Sequence, residues 1–368
     1  MSEAKTKRAA IAGAARAHGE GKQRGPIDRL LRVLRGRGKR KRPSMPCTAD
    51  DRAIAWLWPH LALTVGRRYP PRYENRDAMI LQMGRVGSIS IYEAIRKHGY
   101  NAYHSHGFSD GRCRATLHRL QDNASQHAVL THLAAVAHRG LLQWYKQHKT
   151  RNGARLKVVT LTRDPTSWMS SNLVLRKHET LPQIRAWHAA ATGREAADDL
   201  EAMQAFSAAL GEMILAAKPS RDLGAAIVEI GRLAEMRWPA APQFKTLAAQ
   251  GLSCATWFEH EVRPVLGLDP LADPRLRDSG AARAETDHAE ILTLRFEDLP
   301  ASAPLFCDFL GLGSFALPHS NATAHGDDRV ALRAAFDAGI EQAGGAAVRR
   351  ELRATPYGKA CGYDRLRD

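Results

Sequence analysis

From Asp77 onward, short apolar runs alternate with stretches whose apolar residues recur at helical spacing. Residues 78–83 predict a first strand, Gly84-Arg85-Val86-Gly87-Ser88 a turn, and residues 89–97 an amphipathic helix. Further strands are expected at 101–104 and 128–132, then an Ala- and Leu-rich helix through Trp144. Residues 157–162 form the clearest buried strand. Asp164-Pro165 behind it supplies an N-cap and a proline at the first helical position. From about 180 to 285 strand signals give way to Ala, Glu, Leu and Arg, as in 195–217 and 243–263, which predicts a helical insertion. A strand returns at 289–295, followed by a helix at 303–310 that ends near Gly311. Strands alternating with helices predict an α/β fold with a mainly parallel sheet.

Charge separates the N-terminus from this pattern. Residues 1–42 carry fourteen basic and three acidic side chains, +11 of the chain's formal +16. Residues 1–45 therefore read as a basic, mostly disordered tail on a nearly balanced body, which argues against a histone-like binder and against any specific nucleic-acid partner. Ile27, Leu30, Leu31 and Leu34 fall at helical spacing among arginines, a pattern suited to an anionic membrane surface; a solvated basic linker explains it equally. No secretory signal and no run of about 18 apolar residues is visible, so a cytoplasmic protein without a spanning helix is expected, peripheral to the membrane at most. The five cysteines are scattered and contain no CxxC pair, so neither a disulfide framework nor a zinc knuckle is expected.

Two segments carry candidate chemistry. The first is Gln82-Met83-Gly84-Arg85-Val86-Gly87-Ser88-Ile89-Ser90, a strand feeding a glycine turn and then a helix. Backbone N–H groups at a helix start, hydroxyls and a cation make a phosphate cradle, although two residues rather than four separate the glycines and no Lys precedes the serine. An ordinary βα turn is the competing reading. In the second, Arg163 closes the 157–162 strand and Ser171 follows eight residues later in the next helix, an arrangement suited to a phosphate monoester. A structural arginine with solvent-facing serines is the bland alternative.

In this order the two segments resemble the sulfotransferase family that uses 3′-phosphoadenosine 5′-phosphosulfate. Gly84 to Ser88 is similar to the family's strand–loop–helix motif for the 5′-phosphosulfate, and Arg163 with Ser171 matches its 3′-phosphate pair at the family spacing. The loop variant looks most like bacterial capsular polysaccharide synthesis proteins. Residues 257–269 and 294–312 agree, so the resemblance covers roughly 77–312. It implies a P-loop NTPase-like three-layer α/β sandwich over 46–368, with the nucleotide as co-substrate, a carbohydrate or other hydroxyl as acceptor, and no metal. It also assigns Gly84, Arg85, Val86, Gly87, Ser88, Ile89 and Ser90 to the donor. Arg85 stands where the family usually has Lys; Arg keeps the charge and cannot serve as an acid.

The acceptor's proton needs a base. Tyr103-His104-Ser105-His106 resembles a Tyr-His-x-His of some polysaccharide 2-O-sulfotransferases, and residues two apart on a strand share a face. His106, nearer the strand end, is the preferred base, then His104, with Glu259 and Glu261 behind them. Surface or metal-binding histidines are the alternative. Two other functions compete: a nucleotide kinase, disfavoured by the missing Lys-Ser/Thr pair, and a catalytically inactive protein that docks on membrane or polyanion through its tail.

Overall fold

The computed structural model describes residues 76–84, 87–107, 138–149, 153, 155–317 and 327–366. The basic tail, the 128–132 strand, Arg85 and Val86 lie outside these residues.

Strand β1 (Asp77–Leu81) leads through the glycine turn into α1 (Ser88–Lys97), and β2 (Asn101–Ser105) follows. Strand β3 (Leu156–Thr162) feeds α2 (Pro165–Leu175); the helical region then holds α3 (Lys177–Thr192), α4 (Asp199–Ala217), α5 (Leu223–Arg237) and α6 (Gln243–Leu252). A helical run follows from Cys254–Trp257 through a π-turn at Phe258–Val262 to Arg263–Leu266, and then α7 (Pro274–Ser279). Strand β4 (Ala281–Glu285) pairs antiparallel with β5 (Ala289–Arg295). Helices α8 (Ala303–Leu310), α9 (Asp327–Gln342), α10 (Gly345–Arg353) and α11 (Pro356–Ala360) complete the described chain.

The sheet order is β2-β1-β3-β5-β4, parallel except at β4. Nearly every residue of β1, β3 and β5 is buried, as in a parallel sheet covered on both faces. This is an α/β fold with a five-stranded, mainly parallel sheet. Among the described residues, β2 and then β3 flank β1 on opposite sides, so the strand order reverses there. Open α/β sheets bind ligands at such a switch point, beyond the strands' carboxyl ends. Parallel pairing brings four strand exits to that one edge: Gln82 after β1, His106 after β2, Arg163 after β3 and Phe296 after β5.

Strand β4 is a correction to the expected helical stretch. Ala-Ala-Arg-Ala-Glu has helical propensity, and its extended form comes from full pairing with β5, from Ala281 opposite Leu294 to Glu285 opposite Glu290. Helix α4, 19 residues with a mean hydropathy of 1.2, is long and apolar enough to cross a membrane by composition. Here Met203, Phe206, Leu210 and Ile214 instead join Trp187, Phe244, Phe336 and Ile340 in the core of the helical lobe.

Helices α4 and α9 cross closely because small residues meet. A Cβ on Gly339 would lie 2.2 Å from the Gln204 carbonyl oxygen and 2.0 Å from Ser207 Oγ. Gly339→Ala should therefore destabilise the protein by about 1–3 kcal/mol, the usual range for overpacking, as read from denaturant midpoints. An unchanged midpoint would mean that the crossing yields freely.

Candidate functional site

The glycine turn is held from two sides. Gly84 and Gly87 adopt φ of 90° and 70°, left-handed values that glycine tolerates. Trp168 Nε1 on α2 donates to the Gly84 carbonyl at 2.9 Å. A Cβ on Gly87 would come 3.0 Å from the Phe296 ring. Helix α1 starts at this turn without a side-chain cap among the described residues and without an acidic residue in its first turn. Its leading N–H groups thus keep the partial positive charge of a helix start. Helix α2 begins differently, because Asp164 accepts from the N–H groups of Thr166 and Ser167 at 3.1 and 3.0 Å. The expected cap is formed, and Asp164 also pairs with Arg353 at 2.7 Å.

Arg163 stands beside that cap. Its guanidinium carbon lies 4.6 Å from the centre of the Phe296 ring, so one aromatic ring separates the glycine turn from the arginine. Burial pushes the Arg163 guanidinium downward from its ordinary value, with Glu297 opposing. The Tyr357 hydroxyl accepts from Arg163 N–H and donates to Arg163 C=O, both at 2.9 Å. Glu297 accepts from the Asp164 N–H and from the Tyr363 hydroxyl, each at 2.9 Å. The exit of β3 is therefore built from residues far along the chain.

A pocket of about 300 Å³ opens here, lined by Arg163, Thr166, Ser167 and Ser170 with Arg333, Asp337, Glu341, Arg349 and Arg353. Thr166, Ser167 and Ser170 lie on one face of α2, and Arg163 precedes its cap at the β3 exit. The hydroxyls of Thr166 and Ser170 are buried and have no hydrogen-bond partner among the described residues. Ser171 is buried one position further round the helix and is not part of this lining. Sequence reasoning missed Thr166 and Ser170, although their spacing from Arg163 was legible. It also missed Arg333, Arg349 and Arg353, for which no local signal exists.

His104 is the fourth residue of β2 and His106 follows the strand's last residue. Their rings lie 4.8 Å apart, edge to face. Gln82, fully buried, reaches both: its Nε2 is 3.0 Å from His104 Nε2 and 2.8 Å from His106 Nδ1. His104 Nε2 is also 2.8 Å from Ser88 Oγ. Burial, then the neighbouring His106, pushes His104 down to about 4, and burial pushes His138 down to about 3. Glu261 brings its carboxylate against Gly107, where a Cβ would meet Oε2 at 2.3 Å, whereas Glu259 is exposed. Trp257 Nε1 on the same helical run donates to the His106 carbonyl at 3.1 Å. Among the described residues no group of three or more His, Cys, Asp or Glu is arranged to hold a metal ion.

A depressed histidine pKa has a definite sign in stability. The unfolded histidine takes up a proton below about 6.5 while folded His104 stays neutral until about 4, so stability falls as pH drops through that interval. His104→Asn should flatten this part of the stability–pH curve in denaturant titrations at several pH values. An unchanged curve would mean that His104 is already solvated.

Comparison with protein-family models, curated proteins and solved structures finds no match for this chain.

Proposed function

We propose that the protein is a sulfotransferase of P-loop NTPase-like architecture, acting between 3′-phosphoadenosine 5′-phosphosulfate and a hydroxyl of a carbohydrate. The observation that carries this reading is Phe296, which touches Gly87 on one side and Arg163 on the other. Two elements suited to oxyanions thereby share one edge of the sheet, with a histidine pair beside them. The donor set fits such a nucleotide: a helix start at the glycine turn with no side-chain cap, and buried hydroxyls of Thr166 and Ser170 next to Arg163 with no hydrogen-bond partner, both among the described residues.

In this reading Gly84 to Ser90, with the first N–H groups of α1, hold the 5′-phosphosulfate, and Arg85 offsets charge on its oxygens. Arg163 takes the 3′-phosphate with Ser171, beside the Thr166 and Ser170 hydroxyls. The bound nucleotide supplies the sulfuryl group. His106 or His104 accepts the proton released by the attacking hydroxyl, and Glu261 stands behind them. The kinase alternative loses its metal-binding carboxylate, because Asp164 is committed to the α2 cap and to Arg353. Calorimetry with 3′-phosphoadenosine 5′-phosphate, ATP and a polyanion tests the reading. Preference for the first ligand supports it, and binding of ATP or polyanion alone overturns it.

Every proposed donor residue lies beyond Asp77, so deletion of residues 1–42 should leave binding of that nucleotide intact. The same deletion should reduce co-sedimentation with anionic vesicles. Loss of nucleotide binding on truncation would show that the tail belongs to the site.

A further inference from the structure

The glycine turn and the histidine pair share their hydrogen bonds. Gln82 Oε1 accepts from the Gly84 N–H, which fixes the orientation of the side-chain amide. Its Nε2 is left facing His104 Nε2 and His106 Nδ1. An amide NH2 group only donates, so both ring nitrogens accept. A neutral imidazole that accepts on one nitrogen carries its proton on the other, making His104 the Nδ1–H tautomer and His106 the Nε2–H tautomer. Ser88 Oγ meets the same His104 lone pair and donates to it. The lone pairs that could take a proton are thus turned inward, onto Gln82 and Ser88.

The Gly84 N–H and Ser88 O–H are also donors that the turn offers to an oxyanion. We propose that turn and pair form one switch, with Gln82 as its positioning residue: a phosphate or phosphosulfate oxyanion that takes up these two donors releases His106 as the proton acceptor. This rests on the reading of the turn as the donor site. Once the oxyanion draws off the Gly84 N–H, nothing holds Gln82 Oε1 in place, and the amide turns over. Oε1 then accepts from His106 Nδ1–H, and Nε2 becomes a further donor to the oxyanion. Through exchange with solvent, one proton leaves His106 Nε2 and one arrives at Nδ1, so the lone pair moves to the nitrogen away from Gln82. Ser88 turns its proton to the oxyanion, and His104 Nε2, now facing Oε1 as well, takes up a proton by the same exchange as Nδ1 gives one up, so it donates to Oε1. The base is unmasked only when the donor site is filled, which orders donor before acceptor.

The test is the histidine tautomers of the full chain, read by long-range ¹H–¹⁵N spectra of ¹⁵N-histidine protein. Without ligand, His106 should be Nε2–H and His104 Nδ1–H; with saturating 3′-phosphoadenosine 5′-phosphate, His106 should become Nδ1–H and His104 Nε2–H. Gln82→Glu, whose carboxylate can only accept, should give His106 Nδ1–H with no ligand. Gln82→Met, a nonpolar replacement of similar length, should leave the His106 tautomer unresponsive to ligand. Opposite resting tautomers, or unmoved tautomers with the nucleotide bound by calorimetry, overturn the switch. Failure of the nucleotide to bind overturns the sulfotransferase reading instead, and inorganic pyrophosphate then decides the switch by moving the tautomers or leaving them. If neither ligand binds, the turn is not an oxyanion site and both proposals fall.

Discussion

If the proposed function holds, replacing His106 by alanine is expected to lower sulfuryl transfer to a polysaccharide acceptor by roughly 10²–10⁴, the scale of lost proton-transfer help, with nucleotide affinity nearly unchanged. His106 is the exposed member of the pair, while His104 is partly buried, bonded to Ser88 and pushed down to about 4. A pKa so far below neutrality makes His104 a weak proton acceptor at pH 7. Steady-state rates of His106→Ala, His104→Ala and the double variant, with calorimetric nucleotide affinity as control, decide between them. Full activity of His106→Ala with inactivity of His104→Ala moves the role to His104. Activity of all three passes it to Glu261, because its carboxylate, unlike that of exposed Glu259, lies against Gly107.

Arg163→Ala should weaken binding of 3′-phosphoadenosine 5′-phosphate by about 1.5–3 kcal/mol, roughly 10–150-fold, as expected for a lost charge-assisted contact. The buried guanidinium resists its own charge, and an anion beside it offsets that cost. Adenosine 5′-monophosphate, which lacks the 3′-phosphate, should bind wild type weakly and the variant no worse. Equal wild-type affinity for the two nucleotides would sink the assignment. Ser170→Ala and Ser171→Ala sharpen the test: Ser170 lines the pocket and Ser171 does not, so a larger loss at Ser170 would place the anion inside the pocket.

The parts of the fold that were legible are those where one physical signal dominates. Leu156–Thr162 and Ala289–Arg295 are apolar runs buried on both faces, and Asp164-Pro165 announces a helix start, so sequence and structure agree within a residue. Ala281–Glu285 was not legible because its strand form comes from its neighbour rather than from its own residues. The same divide runs through the site. The glycine turn, Arg163 and the two histidines are marked by local spacing. Gln82 is a lone polar residue at a strand end, and its importance lies in three partners that only the folded sheet assembles. Arg333 and Arg353 reach the pocket from helices more than 160 residues downstream of Arg163, beyond any local pattern.

The C-terminal clasp on β3 has a consequence for how the molecule is made. Tyr363 bonds the Thr162 hydroxyl, Tyr357 the Arg163 backbone and Arg353 the Asp164 cap, and all three leave the ribosome about two hundred residues after the strand they secure. At 5–20 residues per second that is a delay on the order of 10–40 seconds. Late in that interval, once β5 has been made, the nascent chain has the sequence of its parallel strands but lacks the C-terminal arginines that wall the pocket. On the proposed function, nucleotide binding would thus be acquired in one late step, and a chain stalled or clipped before Tyr357 should be blind to the ligand even where its sheet has formed.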